Sequence, residues 1–347
     1  MLKKYEELNL QAKDYFIVEI EKVFYKKHKD KELLVRCYKE IDMLFEKGLL
    51  FIIEHLYKYK KQSENVCYYF SGSTNNLFLL YLLELNKVNP IEYNLPYELF
   101  KEKVIKVQIA GAAYGLLYYL QRCNDFKIVS GYFEKEEIEE INKIEEDHYL
   151  LIPESSPIDD MLFKLNKIGM FETVDDYRKY KENYIAIRLS DRCPITKYKS
   201  VGIENVISNE FEKQLANILK PQTINDYIKI KSLAHGANVW KYNQDKLVEF
   251  NVLDLSSIIS NREDAYEYLL EHSIPSEKAL EILNFVNIMH ISYYSNIWDN
   301  YVDIMKSHKC DDIFIEIIEN VDYLSSRGQA VSECLFTLDI ENYIPEK

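Results

Sequence analysis

Tyr68-Tyr69-Phe70-Ser71-Gly72-Ser73-Thr74-Asn75-Asn76-Leu77-Phe78-Leu79-Leu80-Tyr81-Leu82-Leu83-Glu84-Leu85 changes character twice. An apolar run gives way to a turn of small residues, and the turn to a leucine-rich stretch. This order predicts strand, tight turn and helix, with Asn75 or Asn76 supporting the helix start. Such a turn lets backbone N–H groups and hydroxyls approach a phosphate, aided by the positive end of the helix behind it. The same residues also make an ordinary tight turn, so Gly72 and Ser73 need support from elsewhere in the chain.

The rest of the composition points to helices. The chain has 347 residues, 47% of them hydrophobic, with only 9 Gly and 8 Pro. That leaves little room for the turns of a sandwich or barrel, and predicts a globular, mostly helical α+β protein of one large or two moderate domains. A net charge of −14 repels nucleic acid unless basic residues gather in one groove. The six cysteines are scattered without a C-x-x-C pair, so neither a zinc site nor a disulfide framework is expected. The start becomes charged at once, and no apolar run approaches the roughly 20 residues that span a bilayer. A soluble, cytoplasmic protein with no membrane partner is expected.

Residues 5 to 60 read as two or three amphipathic helices, with Ile17, Ile20 and Val23-Phe24 on one face and Ile41, Leu44 and Leu49 on another. Residues 104 to 122 read as a buried strand or helix pair. Glu134 to Asp147 reads as a solvated surface helix, and Pro153-Glu154-Ser155-Ser156-Pro157 punctuates the chain. A boundary near 200, between Pro194 and Gly202, gives domains 1–200 and 201–347.

Behind the turn lie Asn86-Lys87-Val88-Asn89-Pro90-Ile91 and Leu95-Pro96-Tyr97-Glu98-Leu99-Phe100. Much farther on comes Ser232-Leu233-Ala234-His235-Gly236-Ala237-Asn238-Val239-Trp240. With Ser71-Gly72-Ser73, and in this order, these segments resemble the PolC-type alpha subunit of bacterial DNA polymerase III, a C-family replicative polymerase. The resemblance implies a small palm of pol β-like nucleotidyltransferase type followed by a helical fingers domain. It also exposes losses. The family's Asp-x-Asp metal ligands and its zinc loop are missing where Lys101-Glu102-Lys103-Val104 runs directly toward Gln108-Ile109-Ala110-Gly111. Asn166 stands at the third metal-binding Asp position, and Asn238 stands where the family has another Asp. Ser71 replaces an Arg, and in Ser325-Ser326-Arg327-Gly328-Gln329-Ala330 a Gln replaces the family's His while Arg327 keeps a cation.

Each lost carboxylate forfeits roughly 4 kcal/mol of attraction per unit of metal charge, at about 4 Å and an effective dielectric near 20. Asp159, Asp160 and Glu84 are the candidate substitutes, although adjacent Asp159 and Asp160 point to opposite faces of a strand. The resemblance therefore implies a catalytically inactive polymerase relative with no metal or cofactor. It would act by binding a nucleotide, nucleic acid in a local basic groove, or a replication-related protein or toxin, as a decoy or regulator. Gly72, Ser73, His235, Asn238, Arg262 and Arg327 are the candidate phosphate or nucleotide contacts; for His235 and Arg327 the alternatives are a packed helix junction and a surface cation without a role. Two other readings stay open: a nucleotidyltransferase with a rebuilt magnesium site, and a pure protein-interaction module. Whether the chain is an enzyme at all is left open with them.

Overall fold

The heptad-like apolar spacing of the first 60 residues does build helices. In the computed structural model, which describes residues 2–62, 66–102, 105–111, 186–189, 207, 209–288 and 295–341, they are α1 (Leu2–Lys27), α2 (Lys31–Glu46) and α3 (Leu50–Gln62). The buried face of α1 is Ala12, Phe16, Ile20 and Phe24, four residues apart, while Ile17 is exposed. The inward stripe is thus set one residue back from Ile17, because side chains at i and i+4 stack along one face. On α2 the buried positions are Leu34, Cys37, Ile41 and Leu44, and nearly all of α3 from Leu50 to Leu56 is inside. Asn9 stitches α1 to the next turn: its Nδ2 donates to Phe45 O at 2.6 Å, and its Oδ1 accepts from Leu50 N at 3.0 Å.

The apolar run before the turn forms β1 (Val66–Phe70). The turn itself is a short 3-10 segment, Gly72–Asn76, and α4 (Phe78–Leu82) follows. β2 (Lys106–Gly111) pairs antiparallel with β1, Phe70 opposite Val107, and parallel with β3 (Ala186–Leu189), Lys106 opposite Ala186. The strand order is β1-β2-β3. The fully buried Glu40 anchors this region to the helices: it accepts from Phe78 N at 3.0 Å and Leu79 N at 2.7 Å, and pairs with Arg36 at 2.8 Å. A carboxylate on the first N–H groups of α4 meets donors that have no partner within the helix. Burial pushes the Glu40 carboxyl upward, against the opposing pull of Arg36.

The described chain is mostly helical. It divides into two units: Met1–Ile91 with Phe100–Lys199 and Asp339–Lys347, and Glu92–Leu99 with Ser200–Leu338. The second unit contains α5 (Glu210–Leu219), α6 (Ile224–His235), α7 (Asp245–Glu249), α8 (Arg262–Glu271), α9 (Ser276–Ile288), α10 (Ser295–Ser307) and α11 (Asp312–Glu319), and most of α12 (Arg327–Glu341). Its core gathers Ile230, Leu233, Trp240, Leu269, Ile282 and Ile318 among others. Side-chain caps fix three helix starts: Asn209 for α5, Thr223 with Asp226 for α6, and Asn261 for α8. Between α6 and α7 the chain makes a wide turn at Trp240–Gln244, with Tyr242 at φ 63° and its ring exposed.

Asp159, Asp160 and Asn166, the acidic stretch 134–147, the punctuation at 153–157 and the boundary near 200 all lie outside the described residues. Among the described residues no helix is long and apolar enough to cross a membrane.

Candidate functional site

Gly72 sits at φ +63°, the left-handed region that a side chain disfavours. That bend turns the N–H and hydroxyl of Ser73 toward one point, and Glu102 is there. Ser73 N donates to Glu102 Oε1 at 2.8 Å, and Ser73 Oγ donates to the same oxygen at 2.9 Å. Ser73 Oγ also accepts from Lys101 N at 3.0 Å, so the residue just before Glu102 is tied to the same turn. A Cβ added at Gly72 would collide with Glu102 Oε1. The turn is braced from below: Asn75 Nδ2 donates to Phe70 O at 2.5 Å and Gly72 O at 3.1 Å, and Asn86 Nδ2 donates to Asn75 Oδ1 at 3.1 Å. Asn75 therefore fixes the turn itself and does not cap α4, whose first N–H groups belong to Glu40.

Glu84 lies at an exposed ion-pair cluster. Its carboxylate pairs with Lys27 and, at 3.2 Å, with Lys60. Hydrogen bonds from Lys27 first and Lys60 second hold its pKa below the ordinary glutamate value.

In the second unit, His235, Asn238 and Arg327 each have a side-chain partner within the protein, whereas the buried Nε of Arg262 has no hydrogen-bond partner among the described residues. Arg327, at the start of α12, reaches Asp264 at 2.7 Å and both oxygens of Glu267 at 2.8 and 2.9 Å, and donates to the carbonyls of Tyr93 and Asn94. Burial works against its charge, but the hydrogen bonds to Glu267 and the fields of Asp264, Glu267 and Glu263 outweigh it and raise its pKa. The backbone N of Arg327 donates to Glu263 Oε2 at 2.7 Å. Arg262, the first residue of α8, is buried, and its backbone N donates to Ser325 O at 2.9 Å. His235 closes α6 and bonds Glu333 of α12 at 2.7 Å; this bond raises its pKa above the usual histidine value. Asn238, at φ 55°, donates to Asp322 at 2.7 Å. Nearby, Ala237 N bonds Tyr323 O at 2.9 Å, joining the segment after α6 to the one before α12.

The structure thus brings Gly72 and Ser73 together with a carboxylate, and Arg327 with two. In sequence, nothing gives Glu102, Asp264, Glu267, Asp322 or Glu333 a role at the site. Only Asp264 and Glu267 carry a local sign, a three-residue spacing on one helix face; the others are set by tertiary contact. Two-metal phosphoryl chemistry needs several carboxylates converging on one point. Among the described residues, no group of three or more His, Cys, Asp or Glu side chains is placed to hold a metal ion. The donor set at the turn, a single carboxylate beside Ser73, does not fit a metal pair.

A mostly helical protein with a small-residue turn between strand and helix is what these elements define. No family profile matches the chain. Three curated proteins, each a "DNA polymerase III PolC-type", are similar to part of it. The Oceanobacillus iheyensis protein is 27% identical over 131 residues, 38% of this chain and 9% of that protein. The Bacillus subtilis protein is 25% identical over 144 residues, 42% and 10% respectively. The Staphylococcus aureus protein is 24% identical over 146 residues, with the same shares. The chain is a partial PolC-like relative, and spans about a tenth of the length of the curated relatives it matches.

Proposed function

We propose that the chain is a non-catalytic relative of the PolC-type polymerase that works by binding. In this reading residues 1–200 are a degenerate palm of pol β-like nucleotidyltransferase type and residues 201–347 a helical fingers-like domain. Of the partners considered, a replication-related protein is favoured over a nucleotide or nucleic acid, with the chain serving as decoy or regulator.

One observation carries the reading: the Glu102 carboxylate on the two donors of Ser73. A triphosphate oxygen seeking those donors must displace Glu102 or sit beside it. Two unit charges about 4 Å apart at an effective dielectric near 20 repel by about 4 kcal/mol, close to a thousandfold in affinity. The fingers-side cation Arg327 is similarly taken up by Asp264 and Glu267. Calorimetric titration with deoxynucleoside triphosphates and magnesium tests this. The expected result is no saturable heat at millimolar nucleotide; micromolar binding contradicts the reading.

A nucleotidyltransferase with a rebuilt magnesium site is the second reading, and it needs carboxylates beyond Glu102. Glu102 is an anionic side chain beside the Gly72–Ser73 turn, where a replacement metal ligand would have to stand. Magnesium-dependent nucleotidyl transfer that Glu102→Gln abolishes would establish this alternative.

A further inference from the structure

Helices α1 and α2 present an outward face of mixed character in the first unit. Asn9 meets Phe45, Lys13 meets Asp42, and Tyr38 donates to Glu21 at 2.7 Å, so α2 runs antiparallel beside α1. Val18, Lys22, Tyr25 and Lys26 fall at i, i+4, i+7 and i+8, one outward stripe of α1. Lys31, Val35 and Lys39, four apart, make the corresponding stripe of α2. The Glu21–Tyr38 bond ties the two helices together along this face.

The apolar centre of the face is open to solvent. Val18 is 58% exposed, Tyr25 57% and Val35 52%, and Ile17 beside them is 42% exposed. Apolar surface gathered on two neighbouring helices marks a contact site, unlike single exposed side chains. Lysines frame it. Lys22, Lys26, Lys29, Lys31 and Lys39 are all exposed, and among the described residues none of them makes a hydrogen bond or ion pair. The carboxylates are fewer. Glu21 is held by Tyr38, Asp30 caps α2 through Glu32 N at 2.9 Å, Glu32 is exposed, and Asp14 lies at the edge, a turn before Val18. This face is therefore cationic in a chain whose net charge is −14.

An apolar centre within a cationic rim matches a ligand that carries apolar side chains among carboxylates. The phosphates of a nucleic acid would meet the lysines too. Aliphatic Val18 and Val35, however, offer no ring for a base to stack on, and the charge of the whole chain repels a long polyanion.

We propose that this face docks an acidic amphipathic helix of a partner protein, its apolar side chains on Val18, Tyr25 and Val35 and its carboxylates against the surrounding lysines. The proposal rests on the binding reading above and gives that partner a chemistry.

The test is calorimetric titration of the full chain with an acetylated, amidated peptide of leucine and glutamate, about 18 residues long, with the leucines on one helix face. At about 0.15 M salt, attraction between distant exposed charges is largely screened. Saturable binding is expected. Lys26→Glu should weaken it about tenfold by reversing a rim charge, and Tyr25→Ser about tenfold by removing an aromatic anchor. Lys246→Glu, an exposed lysine of the second unit, should leave it unchanged. Circular dichroism of each variant checks that its helices persist. Absence of saturable binding would overturn the proposal. Equal losses in the two lysine variants would reduce the binding to diffuse attraction and overturn it as well, as would equal binding of an oligoglutamate that lacks leucine. Tighter binding of a single-stranded oligonucleotide would reassign the lysines to phosphate. Self-association of the free chain in sedimentation, abolished by Tyr25→Ser, would assign the face to a second copy; either result overturns the proposal. Failure here leaves the non-catalytic reading standing, whereas nucleotidyl transfer would sink that reading without touching this face.

Discussion

Glu102 Oε1 accepts hydrogen bonds from both the backbone N–H and the hydroxyl of Ser73, at 2.8 and 2.9 Å, across 29 residues of chain. Hydrogen bonds to a charged group contribute about 1.5–3 kcal/mol. Glu102→Ala should therefore lower unfolding stability by about 2 kcal/mol. Gly72→Ala should cost about 1–2 kcal/mol for the left-handed backbone, and more for the collision with Glu102. In the Glu102→Ala background only the backbone cost remains. A double-mutant cycle by urea denaturation should thus show Gly72→Ala to be milder in that background. Strict additivity would place Glu102 away from the turn.

Glu40 should be among the most sensitive positions of the first unit. Removing it takes away the acceptor of Arg36 Nε and of the N–H groups of Phe78 and Leu79, while Arg36 keeps its bond to Asn76 O. Glu40→Ala should cost about 3–5 kcal/mol, the range for breaking a buried ion pair from one side. Glu40→Gln should cost less, because its amide oxygen can still accept from α4. Thermal denaturation of both variants checks the order.

Arg327 is read as a structural tie. Replacing it with Lys keeps the charge but loses the forked contact to Glu267 and Asp264. We expect Arg327→Lys to destabilise by about 1–2 kcal/mol and Arg327→Met by more, since the latter strands two carboxylates. Equal stability of all three proteins in guanidinium denaturation would contradict this role.

The His235–Glu333 bond should show a signed pH dependence. The folded pKa of His235 lies above its ordinary 6.5, so its contribution is complete below that value and is lost as pH rises through the folded pKa. Glu333 is shifted the other way: burial opposes the shift, but the bond from His235 lowers its pKa below the ordinary 4.5. Its contribution is present above that value and lost as pH falls through the folded pKa. The stability difference between the wild-type chain and His235→Gln should be largest in mildly acidic solution and shrink toward pH 9 or so. A difference that grows with pH would contradict the assignment. His235 is well exposed, so only the direction is predicted.

Local pattern made much of the fold legible. The passage from Tyr68 to Leu85 reads as strand, turn and helix because its apolar period changes at small residues, and that is how it folds. The early helices were visible in the same way, although the inward stripe of α1 lies at Phe16, Ile20 and Phe24. The pairing of Thr223 with Asp226 is also local, a capping box three residues apart. The contacts that shape the candidate site are not local. Glu102 meets Ser73 from 29 residues away, and Arg327 meets Glu267 and Asp264 from 60 and 63. In sequence, Arg327 reads as a cation open to a phosphate; only the folded chain gives it partners. The turn after Trp240 is similar: the ring of Trp240 is buried, and the left-handed Tyr242 has no glycine to announce it.

Primer extension with magnesium or manganese tests the central claim most directly. Incubated with a primed template and all four deoxynucleoside triphosphates, the wild-type chain and Glu102→Gln should leave the primer at its starting length. Extension by the wild-type chain that Glu102→Gln, Asp159→Asn or Asp160→Asn abolishes would contradict the account.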